Sequence, residues 1–400
     1  MRIYIVVVII LFCLNIYSIF SKKNNKIAKK LSFGLLNYFM CLNYLNGIDW
    51  IASNTYFVEY SGKSLNYSEI IKNIPEYYRT EILYYYILAV FKYIGFNYEI
   101  TQYILLTFVL VNIYIIFSKY TKLNTIGITF FYMSMMYWIF FEPLLRQLIV
   151  FSLFLIGLNF LERKKYLIYV CLMIICIFIH SSSVVLILLP LFLFKEISLK
   201  KKCVIVIIWI LIGVNSYNIL NMFKGNLLIL EKYIYYIEIG KINNFNIIAL
   251  IKIILTILVM LFISKNKNIL NMNKRKQMLL ENLVFINLLL FIARRYLLFV
   301  ERFQVYFYIF FIIEITIFIE VILKKYNKVK GIIVFLVFFL YFFKVMFLGI
   351  SQYKYYDRKR YIPYTNYIEE ILNQDKEISL KEKIIRRFTN QQNNLIESEN

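Results

Sequence analysis

Long apolar runs fill this chain, and short polar junctions separate them. A helix needs roughly 20 mostly apolar residues to cross the hydrocarbon layer of a bilayer, and runs close to that length recur throughout. They place about 12 spans, at 3–20, 31–46, 99–117, 126–141, 148–161, 166–180, 184–194, 203–220, 246–264, 279–293, 303–322 and 331–350. The run 184–194 is short for a span and calls for extension into its flanks or a thinned membrane. The stretch 82–95 follows Glu81, carries Lys92 and has a tyrosine-rich face, which suits a re-entrant or interfacial helix. The predicted fold is therefore all-α: a polytopic transmembrane helical bundle over 1–350, followed by a polar tail over 351–400.

Charge orients the bundle. Lysines and arginines recur at every second junction: Lys22, Lys23, Lys26, Lys29 and Lys30; Lys119 and Lys122; Arg163, Lys164 and Lys165; Lys195, Lys200, Lys201 and Lys202. The series continues through Lys265, Lys267, Lys274, Arg275 and Lys276 to Lys324, Lys325, Lys328 and Lys330. Such alternation is the positive-inside pattern. With 82–95 not crossing, all of these clusters fall on the cytoplasmic side. Both termini, the loop 47–79, the turns 142–147 and 180–183, the loop 221–245 and the arginines near 294–302 then lie outside. Arg2 and the apolar run behind it resemble a signal peptide. The run is long, lysines follow it and no small-x-small site is present, so it is expected to stay as a span.

Composition agrees with a membrane chain. Hydrophobic residues make up 61% of it, more than a soluble fold of this length can bury. The net charge of +23 is mostly topological and does not point to nucleic acid. The cysteines (Cys13, Cys41, Cys171, Cys176 and Cys203) have no CxxC spacing and read as small buried hydrophobes.

Polar groups that cost free energy where they sit are the candidates for chemistry, since a charge at mid-bilayer costs about 2.5–3.5 kcal/mol on insertion scales. Arg146 opens an apolar helix after Glu142 and Pro143. Its planar fork either grips phosphate oxygens, aided by the helix N-terminus, or pairs with Glu142 one turn away. His180, the only histidine, precedes Ser181, Ser182 and Ser183, and is either a general base or a hydrogen-bonded structural residue. Arg302 follows Glu301, which can neutralise it. Arg294 and Arg295 leave a surplus of positive charge on the outward side, which calls for an anionic partner such as a lipid headgroup or a lipid-linked diphosphate. Glu314 and Glu320 are expected to neutralise Lys252 or Lys344. Asp49 and Trp50, with Tyr56 and Tyr60 behind them, suit carbohydrate or simply an interfacial turn.

Absences narrow the chemistry. The three aspartates, Asp49, Asp357 and Asp375, form no DxD pair, and there is no P-loop, HExxH or glycine-rich nucleotide fingerprint. A reaction here is expected to need no cofactor, no nucleotide and no metal, and to use a substrate that arrives already activated.

The ordered set Gly47-x-Asp49-Trp50, Tyr56, Tyr60, Arg146-Gln147, His180-Ser181-Ser182, Arg302-Phe303, Tyr306-Phe307 and Pro363-Tyr364 resembles the EpsG family of exopolysaccharide clusters. Leu148, Ser183 and the absence of an arginine among residues 43–46 depart from the family's usual pattern. The resemblance implies a Wzy-type repeat-unit polymerase, a metal-independent glycosyltransferase in the cytoplasmic (inner) membrane of a bacterium. Its substrate would be a polyprenyl-diphosphate-linked oligosaccharide, used at the outer face for a capsule, an exopolysaccharide or an O-antigen. A chain-length regulator and a flippase of the same pathway would be partners, beside membrane lipid. The resemblance makes His180 and Asp49 the catalytic candidates. Arg146, Gln147, Arg302, Arg295, Trp50, Tyr56 and Tyr364 become the substrate-binding ones. Two other readings are a lipid-linked oligosaccharide flippase or transporter, which should carry mid-membrane charges and often an inverted repeat, and a non-catalytic partner in an assembly complex.

Overall fold

The computed structural model describes residues 2–21, 25–44, 48–60, 65–74, 76–136, 139–140, 144–214, 247–270, 272–297, 300–351, 364 and 366–368. Among them the fold is all-helical, with one isolated backbone bridge between Asn43 and Asn366. In chain order the helices are α1 (Arg2–Phe20), α2 (Asn25–Leu36), α3 (Ile48–Thr55), α4 (Tyr67–Asn73), α5 (Ile82–Ile94), α6 (Tyr98–Tyr120) and α7 (Asn124–Phe131). There follow α8 (Leu145–Glu162), α9 (Tyr166–Ile179), α10 (Leu189–Phe192), α11 (Leu199–Val214), α12 (Ile247–Lys265), α13 (Lys274–Ala293), α14 (Glu301–Lys325) and α15 (Lys328–Ser351).

Among the described residues, α1, α6, α8, α13, α14 and α15 are each long and apolar enough to cross a membrane. The expected span 246–264 is the 19-residue α12, and several of the others are shorter or irregular. The runs 31–46 and 126–141 each begin as an α-helix and loosen into a π-helical turn, at Asn37–Cys41 and Tyr132–Met136. The run 184–194 is a 3-10 helix, Ser181–Leu188, continued by α10. A 3-10 helix rises about 2 Å per residue against about 1.5 Å for an α-helix, so a short run reaches further. The end of the run 203–220 lies outside the described residues.

Contacts among the junctions give the bundle two unlike ends. At one end the lysines meet. Lys119 pairs with Glu162 at 2.8 Å, Lys276 donates to the Lys119 carbonyl, and Lys29 bonds Ser118 at 2.5 Å. Lys325 reaches Asn266 at 2.8 Å, Lys274 reaches Glu196 at 2.7 Å, and Lys328 lies over Phe20. Glu320 belongs to this end. It accepts from Thr121 Oγ1 at 2.8 Å and from the Lys122 amide at 2.9 Å, and it pairs with Lys324 at 2.6 Å. The expected pairing of Glu320 with Lys252 or Lys344 is therefore corrected: a cation one turn along its own helix is nearer than any on another.

The 23 residues of α6 run from this lysine end to Tyr98 at the other. Asn97 caps its start by accepting from the Ile100 amide at 2.9 Å. Gly95, in the left-handed region at φ 97°, closes α5 just before it. Glu81, at the opposite end of α5, meets Arg146 and His180, which start α8 and end α9. Both ends of α5 thus lie at the end of the bundle away from the lysines. With 13 residues, about 20 Å, it lies across that end and does not cross the bundle.

Helix α14 is the axis of the fold. Its apolar stretch is 89% buried, against 33% for α1 and 28% for α15, which leave much of their surface for lipid. Close approach fixes α6 and α7 against α14. A Cβ on Gly127 would collide with the Phe117 ring and come within 2.9 Å of Thr316 Oγ1. Polar side chains inside the bundle pair between helices, as Asn15 does with Thr129 at 2.9 Å and Asn112 with Ser152 at 2.8 Å. A short part of the expected tail packs on the end away from the lysines. The Tyr367 amide bonds the Leu42 carbonyl at 2.9 Å, and Asn97 donates to the Tyr367 hydroxyl at 2.8 Å.

Candidate functional site

Glu81 ends a 3-10 turn, Glu76–Glu81, and leads into α5, where the chain brings its carboxylate under the rest of the bundle. It is buried, 6% exposed, and fully engaged. Oε2 pairs with Arg146 Nη1 at 2.5 Å. Oε1 lies 3.0 Å from His180 Nδ1 and accepts from the Ser181 amide at 2.9 Å and the Ser181 hydroxyl at 3.0 Å. Each donor is placed by a helix end. Arg146 is in the first turn of α8. His180 is the extended residue (φ −154°, ψ 114°) between α9 and the 3-10 helix, and the Ser181 amide is at that helix's N-terminus, which favours an anion.

Burial by itself would push the Glu81 carboxyl up. The His180 hydrogen bond, the Arg146 and His180 charges and the Ser181 amide outweigh it and hold the carboxyl at about 2, so Glu81 is an anion at neutral pH. An ionised carboxylate only accepts, so Nδ1 of His180 is the donor. In the neutral ring, Nε2 then keeps its lone pair. The pair holds a base in one tautomer and one orientation, and an adjacent anion steadies the imidazolium that forms when the base takes a proton.

The surroundings fix this group from several sides. The Arg146 guanidinium lies over Tyr56 at 5.4 Å and Tyr84 at 5.8 Å, and Tyr56 stacks on Tyr60 with centroids 5.5 Å apart. Gln147, buried beside Arg146, donates to the Arg302 carbonyl at 2.5 Å and ties α8 to the start of α14. Ser182 Oγ and the Tyr306 hydroxyl are 3.2 Å apart. The Arg302 side chain is exposed on the first turn of α14. Arg146, Gln147, His180, Tyr56 and the Arg302 backbone, scattered along the chain, are thus brought to one place.

Other candidates sit elsewhere. Trp50 is completely buried, its ring edge-on to Tyr44 and Tyr98 at 5.2 Å each, so it offers no open face to a sugar. Tyr364 stacks on Phe39 at 4.4 Å and donates to the Phe39 carbonyl at 2.7 Å, bracing itself against the π-helical turn that follows α2. Arg295 lies over Phe291 at 5.2 Å, on the other side of α14. Asp49 is on α3, and its side chain falls outside the described residues. Glu142, the sequence-based partner for Arg146, also lies outside them, and Glu81 holds that arginine instead. Among the described residues no three His, Cys, Asp or Glu side chains gather as metal ligands do.

Glu81 is the residue that sequence reasoning passed over as chemistry, weighing it only as a mark of an interfacial helix. A single acid opening an apolar, tyrosine-rich segment on the outward side was the available signal. A family model described as the EpsG family matches residues 30–366, a stretch that contains every side chain of this cluster. No curated protein and no solved structure matches the chain.

Proposed function

Since the chain belongs to the EpsG family, we propose that it is a polysaccharide polymerase of the Wzy type, acting in exopolysaccharide assembly. In this reading it spans the cytoplasmic membrane of a bacterium about 12 times, at roughly 20 residues per span. It joins polyprenyl-diphosphate-linked oligosaccharide repeat units at the outer face. The observation that carries the reading is the Glu81–His180 pair, 3.0 Å apart at the end of the bundle away from the lysines.

Chain transfer needs a base for the acceptor hydroxyl and a leaving group on the donor sugar. His180 Nε2 takes the acceptor proton as the hydroxyl oxygen bonds to the anomeric carbon of the donor. The bond from that carbon to the diphosphate oxygen breaks, and the polyprenyl diphosphate departs with the electron pair. Glu81 steadies the imidazolium, which then returns its proton to the departing diphosphate or to water. Asp49, on α3, is assigned to acceptor hydroxyls. Arg146 holds Glu81 in place and, with Gln147, ties α8 into the site. Arg302 presents a guanidinium to the donor diphosphate.

Reconstitution into proteoliposomes with purified lipid-linked repeat units tests this. The wild-type chain should lengthen the glycan and release polyprenyl diphosphate. A protein that moves the lipid-linked unit across the bilayer without lengthening it is a transporter, and that result would end the polymerase reading.

A further inference from the structure

On the face of α14 away from His180, three cations share one aromatic ring. Lys252 Nζ lies 4.5 Å from the centre of Phe291, with Arg295 at 5.2 Å and Arg294 at 5.7 Å. Phe311 at 5.4 Å and Tyr308 at 5.6 Å complete an aromatic cage around the lysine. Rings attract a cation but do not neutralise it. Among the described residues the only carboxylate in this group is Glu301, half exposed and 3.6 Å from Arg294. Arg294 also donates to Gln304 at 2.8 Å, whereas Arg295 Nε is buried with no acceptor among the described residues. Among the described residues, three basic side chains therefore gather round one ring beside a single carboxylate, an arrangement suited to an anionic ligand.

Depth and surroundings specify the ligand further. Lys252 is five residues inside the start of α12, about 8 Å below that end at 1.5 Å per residue. On α12 beside it, Ile251, Ile254, Leu255 and Leu258 are exposed and offer an apolar track. Gln304 points toward Arg294, while Tyr306, two residues on, meets Ser182. The first turns of α14 thus separate a cationic group from the Glu81–His180 group.

We propose that Lys252, Arg294 and Arg295 form a binding site for the diphosphate of a polyprenyl-linked substrate, with the isoprenoid chain laid along α12. The assignment rests on the polymerase reading for the identity of the lipid, and on the cation cluster for the site.

The test uses the full-length protein in nanodiscs of neutral phosphatidylcholine, titrated separately with polyprenyl diphosphate, inorganic diphosphate and phosphatidylglycerol. Wild type should bind polyprenyl diphosphate more tightly than either of the others. Lys252→Met and Arg295→Gln should each weaken that binding by about 10-fold or more, since each removes a charge-assisted contact. Equal binding by both variants and wild type overturns the site, as does a Lys252-dependent affinity that is no greater for the diphosphate than for phosphatidylglycerol. Should Lys252→Met fail to fold, Arg295→Gln decides alone. Lys252-dependent diphosphate binding by a protein that lengthens no glycan keeps the site and removes the polymerase reading. Glycan lengthening with unchanged binding in both variants does the reverse.

Discussion

Glu81 Oε1 and His180 Nδ1 lie 3.0 Å apart across 99 residues of sequence, and the same oxygen accepts from both donors of Ser181. A carboxylate so placed fixes which ring nitrogen of His180 is free to act as a base. Glu81→Gln would present an amide that can donate to Nδ1 and stabilise the wrong tautomer. Glycan lengthening should fall by about 100-fold or more, within the usual range for general base catalysis, while binding of the lipid-linked unit persists. A reconstituted assay with a parallel binding measurement separates the two, and near-normal lengthening would leave Glu81 a purely structural anchor.

His180→Gln distinguishes a base from a hydrogen-bonded brace. A glutamine can still donate toward Glu81, so the fold should hold and the protein should express normally. It offers no basic nitrogen, so chain growth should stop. Normal glycan lengths from this variant would remove His180 from the mechanism.

Arg146→Lys and Arg302→Lys should fail for different reasons. The fork of Arg146 binds Glu81 and lies over Tyr56 and Tyr84, and a lysine cannot reproduce that geometry. Its loss should lower stability by about 1.5–3 kcal/mol, the worth of a hydrogen bond to a charged group. Arg302 is exposed and makes no comparable side-chain contact among the described residues, so Arg302→Lys should keep the melting temperature and lose activity. Thermal unfolding in detergent beside a lengthening assay checks both; full activity in Arg302→Lys would exclude its diphosphate role, and an unchanged melting temperature in Arg146→Lys would exclude the anchoring role.

Acid stability follows from the depressed Glu81 carboxyl. Its folded value of about 2 lies below the ordinary 4.5, so the folded state binds its proton later than the unfolded state does. The stabilisation is complete above about pH 4.5 and is lost as the pH falls toward about 2. Melting temperature measured against pH should fall across that window, and more shallowly in Glu81→Gln. Identical slopes in the two proteins would mean that Glu81 gains nothing from folding.

Sidedness can be read by cysteine labelling of intact cells. Tyr93 is exposed at the end of α5 and Lys274 at the start of α13, at opposite ends of the bundle. A cysteine at 93 should react with an impermeant reagent from outside, and one at 274 only after lysis. Labelling of both, or of neither, would break the assignment of the lysine end to the cytoplasm.

The membrane character, the apolar runs and the gathering of lysines at one end of the bundle were legible in the sequence. They depend on local hydropathy and on lysines at alternate junctions, and both act one segment at a time. The meeting of those lysines around Glu162 and Glu320 agrees with that reading. Arg146, Gln147 and His180 were legible as types of residue in costly places, but not as neighbours. Glu81 was legible only as an acid opening an apolar segment, because its partners come from α8 and the α9 terminus, far along the chain. The caging of Lys252 against Phe291, and the burial of Trp50, which the sequence left between a sugar contact and an interfacial turn, were decided in the same way. A sequence specifies which groups cannot stay alone in an apolar medium. Only the packing of helices against one another chooses the partner each of them receives.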